Sequence, residues 1–526
     1  MQSRLFDKIK KHAELNEKDA IIFYGKKVTY SDLNIYINRL ASYMQKEKQI
    51  KKGDKVAIFM QNSPQFIISY FAIQKIGAIV ASCNPLLKKW ELKHQLKELN
   101  PKILITFDNL YPVFKEIKDS LNFSDAIVSN FSDVLPKSPI PDFPEEVVSI
   151  ANDYEITRFK DIILKHKSDN LFEVEVNEDD IALIIYTSGS TGLPKGAMLS
   201  HKNIEFKALN LKKTYNYDSS DTVLCAMPIS HVAGMLVGVH GILLAGGTTL
   251  LMTRFIPSST LEAIEEYKVN IIYTTPPMNK KMMEILHKKQ FNLNSLRLNL
   301  GTSFGREITK QISYEWERYS GVELFEFSYG MTETFTGDTL MPPQSIKYGT
   351  FGQPNVETDI KIVSLNNREK ELPVGEIGEI TIKSPAVFKG YLNSPEKTKE
   401  VLKNGRFYTN DIGKIDNDGY LCFLDKKKEV IKSSGYSIFP TEVELILAKH
   451  KAVNQVVVVG IPDIDKGENV KAFIVLEKKF ENKITPSDLI NWSKQNMAAY
   501  KYPRSIEFCE SLPQSNTGKI LRNKLK

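Results

Sequence analysis

The sequence has little cysteine and lacks the spacing that builds metal clusters or disulfide frameworks. Its 526 residues include four cysteines, far apart at Cys83, Cys225, Cys422 and Cys509. No two of them form a C-x-x-C pair, which argues against a zinc or iron–sulfur site and predicts a reducing compartment. The N-terminal segment also lacks the apolar core of a signal peptide. We therefore expect a cytoplasmic protein.

The sequence also lacks a strong charge imbalance and an uninterrupted membrane-spanning segment. Its net charge of +7 is spread over a long chain, so nucleic-acid binding is not predicted, and part of the surplus suits anionic small molecules. The apolar stretch 232–252 contains His240 and the turn signal Gly246-Gly247. It predicts a buried helix followed by a core strand. Peripheral contact with a membrane stays open.

What the sequence does contain is a repeated alternation of strands and helices. Apolar runs at 55–60, 78–82, 103–106, 181–186, 222–227 and 270–275 predict buried strands with helices between them. After the first of these strands, Ser63 is expected to cap a helix that begins at Pro64. This alternation predicts an α/β fold with mostly parallel sheets flanked by helices. Residues about 345–425 predict a small β-barrel-like subdomain rich in turns. We expect an N-terminal domain over 1–425 and a small α+β C-terminal domain over 426–526.

The most informative segment is the run Tyr186–Gly196, which directly follows a predicted buried strand. It contains four aliphatic hydroxyls, three glycines and Lys195. Glycines allow backbone N–H groups to approach an anion, hydroxyls donate to phosphate oxygens and lysine supplies a positive charge. The run predicts a polyphosphate-binding loop, although Pro194 distinguishes it from the P-loop of kinases and GTPases. A Ser/Gly-rich surface linker is the alternative.

Four further groups are weaker when each is taken alone. Ser328–Thr334 ends in an aromatic, hydroxyl and carboxylate set that suits a nucleotide and Mg²⁺, or a plain turn. Asp411 has two acceptor oxygens for ribose hydroxyls, or forms an Asx-turn. His231 lies in an apolar run, where a core histidine is the alternative. Lys519 follows a glycine near the C-terminus, where a surface lysine is the alternative.

In this order and at these separations, the five groups resemble the adenylate-forming superfamily of acyl-CoA synthetases, luciferases and peptide-synthetase adenylation domains. The resemblance covers about residues 20 to 525. The superfamily's phosphate loop matches Thr187–Gly196, its Tyr-Gly-Met-Thr-Glu motif matches Tyr329–Glu333, and its ribose-binding aspartate matches Asp411. Its hinge and CoA-side motif matches Asp425–Glu444, and its terminal catalytic lysine matches Lys519.

The resemblance implies an ATP-dependent reaction in which a carboxylic acid becomes an acyl-adenylate with loss of pyrophosphate, and a thiol then displaces AMP. Lys519 would bridge the carboxylate and the α-phosphate, Lys195 would hold the pyrophosphate, and Thr187 with Glu333 would hold Mg²⁺. His231 joins Lys519, Glu333 and Lys195 as a candidate catalytic residue. A mobile C-terminal domain would rotate about Lys428 and admit the CoA thiol near Gly435.

The residues expected to bind ATP or CoA share positions in these motifs. They are Thr187, Ser188, Gly189, Ser190, Thr191, Gly192, Lys195, Gly301, Thr302, Ser303, Ser328, Tyr329, Gly330, Thr332, Asp411, Lys426, Lys432, Ser434, Gly435 and Lys519.

Several residues depart from the superfamily's usual pattern, and Ser328 and Gly301–Ser303 differ from its commonest adenine-site residues. Asn410 stands where glycine is usual, Lys426 where arginine bonds ribose, and Gln514 where a basic residue is common. Lysine keeps the charge at 426 but loses the planar fork, which weakens the expected nucleotide contact.

The expected substrate is an apolar acid. The segments 84–86 with 91–96, and 435–440, resemble the medium- and long-chain fatty acid branch. Gly234, Gly238 and Gly301 are expected to leave space for an acyl chain. Three alternatives stay open: loading of a separate carrier-protein thiol, ligation of an aromatic or short-chain acid, and a non-catalytic nucleotide- or acyl-binding relative.

Overall fold

The computed structural model describes most of the chain. The described residues are 4–15, 17–145, 147, 156–167, 171–187, 194–303, 308–426, 431–438, 440–513, 522 and 525. Within them, helices alternate with strands as the sequence predicts, and the α/β fold class is confirmed.

Two large sheets form the centre of the molecule. In the first, six parallel strands and one antiparallel edge strand follow the order Leu324–Glu326, Leu298–Gly301, Ile271–Thr274, Thr222–Cys225, Thr248–Leu251, Asp19–Phe23 and Lys26–Thr29. In the second, the order is Gly390–Tyr391, Lys195–Ser200, Ile181–Thr187, Ile79–Cys83, Lys55–Phe59, Ile103–Phe107, Ala126–Ser129 and Thr157–Arg158. The strands of the second sheet run parallel from Ile181–Thr187 onward, while Lys195–Ser200 and Gly390–Tyr391 join it antiparallel.

Helices cover these sheets and bury a shared apolar core. Helix Pro64–Lys75 begins as predicted, because the Ser63 hydroxyl accepts from the Phe66 N–H at 3.2 Å and Pro64 occupies the first helical turn. Nearly all of this helix is buried. The α-helices are Leu5–Leu15, Tyr30–Lys46, Pro64–Lys75, Lys89–Leu99, Tyr111–Lys115, Phe159–Lys165, His201–Thr214, Val232–Met235, Gly241–Ala245, Pro257–Glu266, Pro276–Leu286, Lys310–Ser320, Pro395–Val401, Pro440–Leu447 and Pro486–Asn496.

The stretch 232–252 is a buried helix and a core strand, as expected. Val232–Met235 and Gly241–Ala245 are α-helical, the π-helical turn Leu236–His240 lies between them, and the strand Thr248–Leu251 follows the turn. Across the described ranges, no helix is both long and apolar enough to cross a membrane.

Two smaller sheets follow in the sequence. An antiparallel sheet contains Asp359–Val363, Gly378–Lys383, Leu402–Lys403, Arg406–Ile415 and Leu421–Lys426, and a two-residue pair joins Thr339–Leu340 to Gln353–Pro354. The last sheet contains Ile431–Ser433, Tyr436–Ile438, Val453–Asp463, Gly467–Leu476 and Ser505–Phe508. Helices Pro440–Leu447 and Pro486–Asn496 pack with this sheet around an apolar core of its own.

Candidate active site

Neighbouring strands of the second sheet bring the two ends of the predicted phosphate loop beside a tyrosine. Thr187, the last residue of its strand, pairs with Lys195, the first residue of the next. On the other side of Lys195–Ser200, Tyr391 pairs with Ala197. The Lys195 ammonium lies 4.9 Å from the centre of the Tyr391 ring, a cation–π distance. The other predicted loop residues, Ser188, Gly189, Ser190, Thr191 and Gly192, lie outside the described residues.

Tyr391 also contacts Glu333, so it joins the two halves of the predicted phosphate and metal site. The Tyr391 hydroxyl donates to Glu333 Oε1 at 2.7 Å, and the Phe388 N–H donates to the Glu333 carbonyl at 2.8 Å. Burial and the Glu333 carboxylate raise the pKa of Tyr391, which therefore stays a hydrogen-bond donor. Burial lowers the pKa of Lys195, and Glu333 opposes that shift. Sequence reasoning missed Tyr391 because no motif places it near Lys195.

The donor atoms of Thr187 and Glu333 fit a magnesium ion that is shared with phosphate. Both are hard oxygen donors, which Mg²⁺ prefers. In the part of the chain that the structure describes, no group of three or more histidine, cysteine or carboxylate side chains could hold a metal by itself. Mg²⁺ in proteins commonly takes one or two carboxylates and completes its shell with water and substrate phosphates.

The predicted ribose site is a buried carboxylate that is held by Tyr329. Asp411 is 5 % exposed, and its Oδ2 accepts from the Tyr329 hydroxyl at 2.8 Å. The Tyr329 ring packs near Phe351 and Phe423, and burial together with Asp411 raises the pKa of Tyr329. Lys426 lies directly opposite Asp411 in the strand register. The two residues predicted to bind ribose are therefore neighbours on adjacent strands.

The departure at Asn410 has a conformational explanation. Its φ is 59°, in the left-handed region that glycine adopts freely and asparagine tolerates better than most residues. Its side-chain oxygen accepts from Arg368 at 3.0 Å, and its N–H donates to Glu379 at 3.2 Å. Arg368 binds both oxygens of the fully buried Glu379 at 2.8 Å. Asn410 therefore preserves the local backbone, a register irregularity in the strand Arg406–Ile415, that presents Asp411.

Gly301 ends the strand Leu298–Gly301, and Thr302 and Ser303 follow it beside a carboxylate that no motif predicted. The Ser303 N–H donates to Glu326 Oε2 at 2.6 Å. Glu326 is 6 % exposed, and among the described residues its Oε1 has no hydrogen-bond partner. Burial raises the pKa of Glu326 to about 7, although Ser303, Thr302 and Lys432 oppose the shift. Its position at the end of the strand Leu324–Glu326, just before Ser328, was the available sequence signal.

The three glycines expected to leave space for an acyl chain instead lie in close contact with neighbouring atoms. A Cβ on Gly234 would lie 2.3 Å from the Pro228 carbonyl oxygen, and one on Gly238 would lie 2.2 Å from the Cys225 sulfur. A Cβ on Gly301 would lie 2.5 Å from Ile308. The expectation that these glycines leave space for an acyl chain is therefore wrong, because neighbouring atoms already fill that space.

His231 is not the packed core histidine of the alternative interpretation. Its side chain is exposed and caps the short helix Val232–Met235, with Nδ1 accepting from the Ala233 N–H at 3.5 Å. Desolvation by the surrounding protein nevertheless lowers its pKa. An accessible imidazole that stays neutral can face a ligand.

The remaining nucleotide-site residues lie close to these groups in the chain. Thr332 begins the 3₁₀ turn Thr332–Thr334, and Ser328 is buried. A Cβ on Gly330 would lie 2.6 Å from both Thr336 Cα and Gly337 N, so only glycine fits there without movement. Lys519, Lys428 and Gln514 lie outside the described residues.

The CoA-side motif lies on the C-terminal sheet. Lys432 belongs to the strand Ile431–Ser433, and Ser434 and Gly435 form the turn to Tyr436 with φ values of 51° and 83°. The Ser434 N–H donates to the Lys466 carbonyl at 2.9 Å. The positive charge of Lys432 counteracts the rise in the pKa of Glu326 that burial causes.

Lys501 joins the C-terminal region to the large sheets. Its ammonium lies 2.9 Å from Glu91 Oε1 and 2.5 Å from Glu442 Oε1, and all three side chains are at most 4 % exposed. Burial alone would lower the pKa of Lys501, but Tyr500, Glu442 and Glu91 raise it well above its usual value. The lysine is therefore charged and bridges the two carboxylates.

Comparisons with known proteins agree with this arrangement. A model of the AMP-binding enzyme family matches residues 9–392, and one of the AMP-binding enzyme C-terminal domain matches 442–519. A long-chain-fatty-acid–CoA ligase of Bacillus subtilis is 33% identical over 530 aligned positions, covering 98% of this chain and 92% of the relative. A feruloyl-CoA synthase of Amycolatopsis is 31% identical, covering 95% and 94%.

Solved structures show the same fold over the whole chain. An o-succinylbenzoate CoA synthetase of Bacillus subtilis, bound to a product analogue, is 26% identical with a TM-score of 0.81 and coverage of 98% and 97%. A long-chain-fatty-acid–CoA ligase of Archaeoglobus fulgidus is 27% identical with a TM-score of 0.78 and coverage of 96% and 97%.

Proposed function

The chain belongs to the AMP-binding enzyme family, and from that premise we propose that it is an AMP-forming acid–CoA ligase for a medium- or long-chain fatty acid. ATP and the acid give an acyl-adenylate and pyrophosphate, and the CoA thiol then displaces AMP. The observation that carries the proposal is the meeting of Lys195 and Glu333 on Tyr391, beside the carboxyl end of the strand that contains Thr187. A cation and a hard oxygen donor that share this tyrosine support binding of a leaving pyrophosphate with Mg²⁺.

The other site residues divide the work between recognition and chemistry. Asp411, held by Tyr329, would accept from the ribose hydroxyls, and Lys426 opposite it would add a positive charge. Lys519 would bridge the acid and the α-phosphate, and His231 would face the acyl group. Bound magnesium would spread the negative charge of the phosphates.

Domain division and location complete the proposal. We divide the chain into an N-terminal domain to Asp425 and a C-terminal domain from Lys426, because the sheet that contains Leu421–Lys426 is separate from the one that begins with Ile431–Ser433. We propose a cytoplasmic location, which the four free cysteines support.

The test is a panel of acids with the purified full chain, ATP, Mg²⁺ and CoA. Saturated acids of increasing length and ferulate are compared by release of pyrophosphate, AMP and acyl-CoA. We expect all three products together, with the highest kcat/KM for medium or long chains. No pyrophosphate with any acid would contradict acyl-adenylation, and pyrophosphate without CoA consumption would favour a carrier-protein thiol as acceptor.

One matched variant tests the site itself. Tyr391→Phe keeps the ring beneath Lys195 but removes the hydrogen bond to Glu333, a bond to a charged group worth ~1.5 kcal/mol. We expect kcat/KM for ATP to fall about tenfold. An unchanged value would show that the Tyr391–Glu333 contact has no part in adenylation.

A second substrate class has one specific observation in its favour. The feruloyl-CoA synthase relative is nearly as similar as the fatty acid ligase, at 31% against 33% identity. A higher kcat/KM for ferulate than for every saturated acid in the panel would establish an aromatic substrate and replace the fatty acid proposal.

A further inference from the structure

The ion pair between Lys207 and Asp338 is fully buried and contacts Thr334, the residue after Glu333, and none of the sequence motifs includes it. The Lys207 ammonium, on helix His201–Thr214, lies 2.7 Å from Asp338 Oδ1, and both side chains are 0 % exposed. Burying two charges is costly unless they are paired and their remaining hydrogen-bonding groups are satisfied. Such a pair needs a structural or functional reason beyond filling the core.

The pair holds one turn at several points. Lys207 also donates to the Gly337 carbonyl at 2.8 Å, and Asp338 Oδ2 accepts from the Thr334 hydroxyl. The Asp338 N–H donates to the Tyr329 carbonyl at 2.7 Å. Burial lowers the pKa of Lys207 and raises that of Asp338, while each group counteracts the shift of the other.

The turn that the pair holds has an unfavourable backbone conformation. Phe335, Thr336 and Gly337 have φ values of 55°, 55° and 63°, so three successive residues are left-handed. A β-branched residue such as Thr336 is rare in that region, and such conformations persist only where surrounding contacts enforce them. The turn also packs directly on Gly330 of the Tyr329–Glu333 motif.

The turn begins immediately after the predicted metal ligand. Glu333 lies in the 3₁₀ turn Thr332–Thr334, and Thr334, the next residue, donates to Asp338. The Glu333 carbonyl is held by Phe388 and its carboxylate by Tyr391. The Glu333 segment is thus held by two sets of contacts. The Lys207–Asp338 pair holds it through Thr334, while Phe388 and Tyr391 donate hydrogen bonds to Glu333 itself.

We propose that Lys207 and Asp338 are positioning residues that hold the Glu333 carboxylate where it meets the magnesium ion of bound ATP. This inference rests on the proposed function. It predicts that the pair governs the metal dependence of nucleotide binding, beyond any contribution to stability.

The test compares the wild type with the double variant Lys207→Met/Asp338→Leu, which replaces the charge pair by apolar residues of similar size. Calorimetry measures ATP affinity in EDTA and in Mg²⁺. We expect affinity without metal to stay within about twofold, while the strengthening by Mg²⁺ falls about tenfold. Thioester formation from a supplied acyl-adenylate should stay near the wild-type rate, because that step does not need the metal-bound pyrophosphate.

A second variant and a remote control separate positioning from folding. Thr334→Val keeps the ion pair but removes its link to the Glu333 segment, and we expect a smaller loss in the same direction. Asp221→Asn weakens the ion pair with Arg297, in which Arg297 Nη2 lies 2.7 Å from Asp221 Oδ2. It should lower the melting temperature without changing the response to Mg²⁺.

The outcomes are distinguishable from those of the proposed function. Unchanged strengthening by Mg²⁺ in the double variant, or in Thr334→Val if the double variant does not fold, would overturn the positioning role. A wild type that binds ATP with Mg²⁺ but releases no pyrophosphate with any acid would overturn the proposed function, while the binding comparison would still decide the role of the pair.

Discussion

The substitution Glu326→Gln should make the protein more stable at alkaline pH and leave it unchanged at acidic pH. Burial raises the pKa of Glu326 to about 7, against the usual 4.5 of a glutamate. The folded state therefore holds a proton that the unfolded state loses between these two values. Stability attributable to this group is fully present below pH 4.5 and is lost as the pH rises toward 7. Glutamine resembles the protonated carboxyl group and does not titrate.

The size of the effect follows from the pKa difference. The pKa of 7 in place of 4.5 corresponds to roughly 3 kcal/mol at high pH, at 1.36 kcal/mol per unit. Of this, about 2.5 kcal/mol develops between pH 5 and pH 8. For a cooperative unit of roughly 400 residues the unfolding entropy is ~0.8 kcal/mol/K. The melting temperature of Glu326→Gln minus that of the wild type should therefore be ~3 °C larger at pH 8 than at pH 5.

The assay is thermal unfolding of wild type and Glu326→Gln at intervals from pH 5 to pH 8. Glu205 needs a parallel variant, Glu205→Gln, because burial raises its pKa to about 7 as well. As the pH rises, the melting temperature of the wild type should fall relative to that of Glu326→Gln. The melting temperature of the double variant Glu326→Gln/Glu205→Gln should depend on pH less than that of either single variant. Parallel curves for wild type and Glu326→Gln would refute the buried, protonated state of Glu326.

Three further outcomes follow from other parts of the structure. Asn410→Gly and Asn410→Val both lose the hydrogen bond from Arg368, but Asn410→Val should lower the melting temperature further, by the equivalent of ~1–3 kcal/mol, because φ is 59° there; equal effects would contradict the conformational explanation. Lys519→Ala should strongly reduce pyrophosphate release yet spare thioester formation from a supplied acyl-adenylate. The exposed Lys478→Ala serves as the control and should change neither step. Equal loss of both steps in Lys519→Ala would refute the bridging role. In Glu91→Gln, Lys501 loses one of its two carboxylates, so the distribution of distances between spin labels on helices Pro257–Glu266 and Pro486–Asn496 should broaden. The exposed control Lys89→Gln should leave that distribution unchanged. Identical distributions for Glu91→Gln and wild type would exclude Glu91 from joining the two regions.

The fold was predictable where the sequence pattern is local. The strand at 55–60 and the helix after Ser63 were found within a residue or two, because an apolar run, an N-cap and a proline act over a few positions. Prediction was weaker for pairings between distant segments. The antiparallel edge formed by Lys195–Ser200 and Gly390–Tyr391 has no local signal, since a two-residue strand shows no periodicity.

The candidate site was predictable where residues share a motif and unpredictable where they meet only through the fold. Thr187, Lys195, Glu333 and Asp411 were identified by their neighbours in sequence. Tyr391 and Glu326 were missed because a hydrogen bond across the fold gives each its importance. The glycines were misjudged because a missing side chain can indicate a close neighbour as readily as free space.

The edge strand Gly390–Tyr391 has a consequence for protein synthesis. Lys195–Ser200 is translated long before Tyr391, so in a nascent or truncated chain one side of that strand has no partner. An unpaired strand edge is a template for association with other chains. Expression fragments that stop before residue 390 should therefore aggregate more readily than fragments that include Tyr391, and the same late residue completes the surroundings of Lys195 and Glu333. The site thus becomes complete only after the edge has been closed.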